Sequence, residues 1–309
     1  MFFAGFALLA GGVATELPWL HAVQKNLYHG GLRSIWQNQP GCAVFDEKLV
    51  YRPKDGACAF RNAEFDTVLN FSGGVRVQKP VAGGRPGVAV LGDSHAMGWG
   101  VSDDETFSAV LQERLGRPVH NLAVSSYGTP RELIALEVSG LLDKVDTVVI
   151  QYSDNDIDEN RHFRPASLAE NRDKFAQVTH RGPASLSRQM PFLYAGLRYA
   201  LKVPFAGIKA LWRGEPTLDF SPHHHPLVAA IARHDALKAK KVIVFYSNGH
   251  GRRFANFPAG TDPKLPNVSF ADLGLGREHY FALDDHLTVH GHRFVAARLV
   301  ELIGAAKVR

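Results

Sequence analysis

The sequence predicts an α/β protein, a three-layer α/β/α sandwich around a doubly wound, mainly parallel sheet. From about residue 86 onward, short apolar runs typical of buried strands alternate with stretches of helical periodicity. Hydrophobic residues make up 45% of the 309 residues and charged residues 21%, so the chain can bury a large core. Strands that alternate with helices pair in parallel and place helices on both faces of the sheet.

The predicted elements follow one another in a regular order. The first strand is the apolar run 88–91, and the first helix spans 106–115, where Phe107, Leu111 and Leu115 share one face. In sheets of this kind ligands bind beyond the carboxyl ends of the strands, so we expect the site there. The remaining predictions are strands at 119–124, 147–151, 242–246 and 268–271 and helices at 130–142, 227–239 and 289–303.

The chain changes in character near residue 86. Before it, short irregular strands alternate with Gly and Pro turns, so we predict an N-terminal extension over 23–85. The main domain, 86–309, contains a long insertion at 157–226. The aromatic and basic middle of this insertion, 192–212, has three open interpretations: a lid over the site, an amphipathic stretch facing a membrane, or helical packing on the sheet edge.

Residues 1–22 have the character of a signal segment or a membrane anchor. Residues 2–14 are apolar and uncharged, and small residues at the end of this run are typical of a cleavage site. The run is shorter than the ~20 residues that span a bilayer, and no Lys or Arg precedes it, so a buried helix is the alternative. We expect an exported, periplasmic or membrane-anchored protein that could associate with a membrane through its N-terminus, and a cytoplasmic one otherwise.

The only two cysteines, Cys42 and Cys58, lie in one loop-rich stretch of the extension. A local disulfide between them would stabilise the fold by about 3 kcal/mol and would fit an oxidising compartment. The alternative is a pair of free thiols in a cytosolic protein.

The charge pattern argues against one class of partner. The net charge is +5, but Lys and Arg are scattered along the chain and form no basic run that could follow a phosphate backbone. We therefore expect no nucleic acid partner.

Polar side chains follow the predicted strands at their carboxyl ends. A serine on a strand-to-helix turn exposes its hydroxyl, and an imidazole oriented by a carboxylate can take the hydroxyl proton. Parallel strands end at the same edge of a sheet, so a nucleophile, amide donors and an acid–histidine pair should meet there, as acyl transfer requires. The blocks are Gly-Asp-Ser-His at 92–95, Ser-Ser-Tyr-Gly at 125–128, Ser-Asp-Asn-Asp at 153–156 and Asp-Asp-His at 284–286.

These blocks, in this order and spacing, resemble the SGNH (GDSL-type) hydrolase family over most of the chain. The resemblance implies the family's flavodoxin-like α/β/α fold and serine-dependent ester hydrolysis without a cofactor. Carried over by position, Ser94 is the nucleophile, His286 its general base and Asp284 the acid that orients His286. The oxyanion hole would be formed by the backbone N–H of Ser94 and the side-chain amide of Asn155.

Two positions depart from the family pattern. The second block normally supplies a glycine N–H to the oxyanion hole, and the matching residue here is Ser126, with Gly128 as the next candidate. A serine can replace that glycine if it adopts the required backbone angles. The acid and the histidine form Asp-x-His rather than Asp-x-x-His, which leaves Asp285 as a rival to Asp284.

The predicted activity is ester hydrolysis by a serine esterase. The substrate is expected to be a small-molecule or glycan ester with a short O-acyl group, because Asp-x-His occurs in family branches that act on polysaccharide acetyl groups. The alternatives are O-acetyl transfer to an envelope polysaccharide and an inactive carbohydrate-binding module. Activity is expected to rise with pH near the usual histidine pKa of about 6.5 or above it.

Each site residue also has a purely structural interpretation. Ser94 could cap the following helix, Asn155 could be a turn residue and His286 a solvated loop histidine. His290 and His292 are expected at the surface of the first turn of the last helix, and His223–His225 in an exposed loop between two prolines. The less favoured alternative is a zinc site built from four residues of the last loop and helix: Asp285, His286, His290 and His292.

Overall fold

A computed structural model describes residues 21, 24–25, 28–81, 85–179, 217–249 and 253–304. The predicted signal or anchor run, 2–14, and the middle of the insertion, 192–212, lie outside these residues. In the part of the chain that is described, no helix is long and apolar enough to cross a membrane.

The structure confirms the predicted α/β class with a mainly parallel central sheet. In the described residues this sheet has six strands, β6 (Gly87–Leu91), β7 (Val119–Asn121), β8 (Val145–Tyr152), β9 (Lys241–Tyr246), β10 (Gly260–Asp262) and β11 (Leu265–Ala271). Their order in the sheet is β10-β11-β9-β8-β6-β7, and of these six strands β10 alone runs antiparallel to its neighbour. The chain starts the sheet at β6, moves to β7 on one side and then returns to β8 on the other, so the strand order reverses beside β6.

Helices cover both faces of this sheet. Alternate residues of β6 separate two apolar cores: Val88 and Val90 face one, and Ala89 and Leu91 face the other. Helices α2 and α7 pack together on the first side, and α3, α4 and α6 pack together on the second. The helices are α1 (Ser94–Met97), α2 (Phe107–Leu115), α3 (Thr129–Val138), α4 (Asp156–His162), α5 (Leu168–Thr179), α6 (Ser221–Ala232) and α7 (Val289–Gly304).

The helix predicted at 227–239 lies at Ser221–Ala232 instead. Two other predicted elements are shorter than expected. The strand predicted to reach residue 124 ends at Asn121, whose side-chain oxygen accepts the Ala123 N–H at 3.1 Å and turns the chain. The helix predicted to reach residue 142 ends at Val138, because Gly140 follows in the left-handed conformation with φ +69°.

The prediction of an exposed loop at His223–His225 is wrong, because these residues lie in α6. The helix begins before them with Pro222 in its first turn, where a missing N–H costs nothing. Pro226 deprives the Pro222 carbonyl of its helical donor, and the Arg161 guanidinium donates to that carbonyl instead at 3.2 Å. His223 is buried, with its Nδ1 2.7 Å from the Tyr152 hydroxyl.

The N-terminal extension forms two small antiparallel sheets. Its disulfide joins Cys42 to Cys58, as predicted. The buried side chains of Trp36, Phe60 and Phe71 belong to the same apolar core as the first face of the central sheet. The strands are β1 (Ala43–Asp46) paired with β2 (Val50–Pro53), and β3 (Gly56–Asn62), β4 (Phe65–Ser72) and β5 (Val75–Arg76) in the second sheet.

Candidate active site

Ser94 stands at the carboxyl end of β6, where the strand order reverses. The turn before it requires Gly92, which has φ +148° and whose Cβ, if present, would lie 2.7 Å from Ala96 Cβ. The side chain that caps α1 is Asp93, which accepts the His95 N–H at 2.9 Å. Ser94 is therefore not the helix cap, and its hydroxyl is available for chemistry.

The three predicted triad residues meet at this turn. His286 Nε2 lies 2.7 Å from Ser94 Oγ, and His286 Nδ1 lies 2.5 Å from Asp284 Oδ1. The Asp284 side chain is fully buried, and His286 is 5% exposed. The solvated-loop interpretation of His286 is wrong, because its ring stacks on Trp99 with the centroids 4.5 Å apart.

The surroundings of Asp284 and His286 shift the pKa values of both side chains. Burial alone would raise the pKa of Asp284, but the hydrogen bond and charge of His286, together with the Arg33 charge, hold that pKa below its usual range. Burial lowers the pKa of His286 to about 4, although the Asp284 carboxylate opposes this shift. This shift favours the neutral imidazole at pH 7, the form that can accept a hydroxyl proton, and its direction is opposite to the expected pKa near 6.5 or above.

Asp285 points away from the imidazole. Its backbone is in the left-handed conformation, with φ +66°, which turns its carboxylate toward the extension. There it forms an ion pair with Lys25, and His29 Nε2 lies 3.2 Å from its Oδ2. The carboxylate that meets His286 in this structure is that of Asp284.

Ser126 has the backbone conformation that its predicted role requires. Its φ is +64°, the left-handed region that a glycine would occupy without strain. Arg131 Nη2 donates to its carbonyl at 2.6 Å, and Gln37 Nε2 donates to its hydroxyl at 3.3 Å. Within the described residues its N–H has no acceptor, whereas the Gly128 N–H donates to Glu159 at 3.1 Å. The free donor is thus on Ser126.

Asn155 lies in a turn directly before α4. Its side chain is exposed and makes no capping bond to that helix. It lines a cavity of about 300 Å³ together with Ser94, Ser126 and His286. The structure therefore gathers every predicted site residue around one small space.

Sequence reasoning missed the residues that surround the histidine. The Arg33 guanidinium lies over the Trp99 ring, and its Nη2 is 3.2 Å from His286 Nδ1. His95 packs against His286 on its other side, with the ring centroids 4.6 Å apart. Trp99 had a local signal in the sequence, because it stands between two glycines a few residues after Ser94. Arg33 had none, since it is more than 250 residues from His286 in the chain.

The alternative zinc site is not formed. Across the described ranges, no group of three or more His, Cys, Asp or Glu side chains could hold a metal ion. His290 is exposed, as predicted, and stacks on His279. The surface prediction is wrong for His292, which is buried against Phe107 and accepts that residue's N–H at 3.0 Å.

The chain is similar in structure to G-D-S-L lipolytic proteins and carbohydrate esterases. No protein-family model and no curated protein matches it. A G-D-S-L family lipolytic protein from Veillonella parvula is 13% identical with a TM-score of 0.37, over 71% of this chain and 98% of that one. An acetyl xylan esterase from Geobacillus stearothermophilus is 15% identical with a TM-score of 0.37, over 74% and 99%. A family two carbohydrate esterase from Clostridium thermocellum is 13% identical with a TM-score of 0.38, over 77% and 69%.

Proposed function

We propose that the protein is a serine-dependent ester hydrolase of the SGNH (GDSL) type that acts on short-chain O-acyl esters. The observation that carries the proposal is the continuous hydrogen-bond chain from Ser94 through His286 to the buried Asp284. At a cavity wall such a chain of hydrogen bonds contributes little to folding stability. It is the arrangement that activates a hydroxyl nucleophile.

The reaction would proceed in two halves. His286 Nε2 takes the hydroxyl proton as Ser94 Oγ attacks the acyl carbon, and it then gives that proton to the departing alcohol oxygen. Water next attacks the acyl-enzyme with His286 again as base, which releases the acid and restores Ser94. The Asp284 carboxylate and the face of Trp99 both favour the transient imidazolium.

The tetrahedral oxygen would be stabilised by three donors from three strand ends. These are the N–H groups of Ser94 and Ser126 and the side-chain amide of Asn155. Removing one such donor typically costs about 3 kcal/mol of transition-state stabilisation. Ser126 is held from both sides by Gln37 and Arg131, so its N–H needs little reorganisation during the reaction.

The size and polarity of the cavity support a short acyl group. About 300 Å³ is at the small end of ligand pockets. The walls beside Ser94 are formed largely by polar residues such as Ser125, Ser153 and Asn248, and a long hydrocarbon chain would gain little there. The size and polarity of the cavity therefore favour an acetyl group over longer acyl groups.

A second groove supports a glycan as the alcohol half of the substrate. It measures about 790 Å³ and shares Ser126 with the catalytic cavity. Its lining is charged but balanced, which suits an uncharged, hydroxyl-rich chain better than an anionic polymer. The same groove favours a second candidate, O-acetyl transfer to a sugar hydroxyl in place of water. The balanced charges are Lys48, Arg131, Arg164 and Lys174 against Glu47, Glu137, Asp158 and Glu159.

A single assay series tests the proposal. Wild type and Ser94→Ala would be given p-nitrophenyl esters of increasing acyl length, with and without acetyl-accepting oligosaccharides. We expect kcat/KM to be highest for acetate and the mutant to be inactive. Acetylated oligosaccharide formed faster than free acetate would favour the transferase. Wild type without activity on any ester would contradict both and leave a binding module.

A further inference from the structure

The loop that carries the acid and the histidine is held by the N-terminal extension. Glu64 lies in the tight turn between β3 and β4 and accepts three consecutive backbone N–H groups, those of Ala282, Leu283 and Asp284. The N···O distances are 2.8, 2.7 and 2.8 Å. Successive N–H groups that converge on one anion form a strong, directional clamp.

A second contact from the extension reaches the acid itself. The buried hydroxyl of Tyr28 donates to Asp284 Oδ2, while His286 bonds to the other oxygen, Oδ1. Both oxygens of the carboxylate are therefore occupied, and rotation of the carboxylate would break both bonds. Arg33 Nη2 adds a contact at 3.4 Å to Oδ1.

These contacts matter because the loop has little regular structure of its own. It lies between a single 3-10 turn, Arg277–His279, and the start of α7. The bond from Phe281 N–H to the His286 carbonyl, at 2.8 Å, closes the loop but does not orient the Asp284 side chain. Besides its bond to His286, that side chain is held by groups more than 200 residues away in sequence.

We propose that Glu64 and Tyr28 are positioning residues for the triad, so that the N-terminal extension is part of the catalytic apparatus. The inference rests on the proposed function. Neither residue would touch the substrate: Glu64 would act through the backbone of the 282–284 loop, and Tyr28 through Asp284. Small misplacements of a catalytic group cost up to about 100-fold in rate, which sets the scale of the expected effects.

The test compares three variants with one matched control. Tyr28→Phe keeps the ring and removes the donor, Glu64→Gln keeps one acceptor oxygen, and Glu64→Ala removes both. The control is Asp66→Asn, whose side chain is 69% exposed and forms only a surface ion pair with Arg61 at 3.6 Å. Measurements are kcat and KM for p-nitrophenyl acetate, the melting temperature, and the downfield proton NMR signal of the His286 Nδ1–H bonded to Asp284.

We expect kcat to fall about 10-fold in Tyr28→Phe and about 100-fold in Glu64→Ala, with Glu64→Gln between them and KM unchanged. The NMR signal should weaken or move upfield in the same order, while Asp66→Asn matches wild type in every measurement. This pattern separates positioning from folding, because a purely structural contact would lower the melting temperature without moving kcat or the proton signal in the folded protein.

Wild-type kcat and an unchanged NMR signal in folded Tyr28→Phe and Glu64→Gln would overturn the proposal. If Glu64→Ala does not fold, these two milder variants decide. Failure of the proposed function looks different: wild type would then be inactive on every ester, or Ser94→Ala would retain activity, whatever the extension variants do.

Discussion

The two halves of the site are held in different ways. The half that contains Ser94 follows β6 and is held by β8, the neighbouring strand of the sheet. Gln151 Oε1 on β8 accepts the N–H of Asp93 at 3.1 Å and that of Ala96 at 3.3 Å. The acid–histidine half is a loop whose holders, Tyr28 and Glu64, belong to the distant extension. The turn that carries Ser94 is positioned by the strands of the sheet in which it lies. The loop that carries Asp284 and His286 is positioned by side chains from a distant part of the chain.

The largest expected effect breaks the nucleophile half. Ser94→Ala should abolish ester cleavage, because no other hydroxyl lies against His286 Nε2 in the described structure. Unfolding free energy should change by less than about 1 kcal/mol, since the hydroxyl makes little contribution to packing. Covalent labelling by a fluorophosphonate, with chemical denaturation alongside, measures both. Undiminished labelling of the mutant would contradict the assignment.

The next largest effect is expected when the charge of Asp284 is removed. Asp284→Asn should lower kcat by about 10⁴, because the amide can donate to Nδ1 and favour the wrong tautomer of His286. Asp285→Asn is the neighbouring control. The Asp285 carboxylate stabilises the imidazolium only through space, by roughly 1 kcal/mol, so its removal should lower kcat about fivefold. Steady-state kinetics of both variants decide the matter. A larger loss at Asp285 would move the triad acid by one residue.

A smaller effect is expected in the pH dependence of activity, which reports the pKa of His286. Activity requires neutral His286, so a pKa lowered to about 4 keeps the base active down to lower pH. At pH 5 the neutral fraction would then be roughly thirty times that of a histidine with the usual pKa of about 6.5. The profile of kcat/KM between pH 3 and 8 gives the midpoint, and a return to pH 7 before assay controls for unfolding. A midpoint at or above pH 6.5 would show that burial does not control this histidine.

The smallest effect on activity concerns the extension's disulfide. Replacing Cys42 and Cys58 by serine should lower the free energy of unfolding by about 3 kcal/mol, for a bridge that spans 16 residues. Below the melting transition kcat should be unchanged, because among the described residues no hydrogen bond joins either cysteine to the triad loop. Thermal melts and kinetics at low temperature test this. A loss of kcat in folded protein would mean that the bridge also supports the positions of Tyr28 and Glu64.

The same contrast explains what could be predicted from sequence. The order of strands and helices, and the meeting of Ser94, Asn155 and His286, follow from the alternation of elements and from the shared edge of parallel strands. Glu64 and Tyr28 could not be found this way. Their partners are more than 200 residues away, and a turn glutamate or a lone tyrosine has no pattern that distinguishes it from other surface or core residues.

Other errors have local causes that a single sequence conceals. His292 looked like a surface residue, but it faces inward from α7 and fills a space beside Phe107. The beginning of α6 was missed because Pro226 argues against a helix, and only the distant Arg161 supplies the replacement donor that makes it tolerable.

The contact between Tyr28 and Asp284 also fixes a tether length. Fourteen peptide links separate residue 14, the end of the apolar run, from Tyr28, and each extends the chain by at most about 3.6 Å, so Asp284 cannot be much more than about 50 Å from residue 14. Whatever surface captures the apolar run at 2–14 would therefore keep the catalytic centre within that radius. The substrates the protein meets would then be those displayed at that surface, and an enzyme released from it would sample a different population of esters with the same active site.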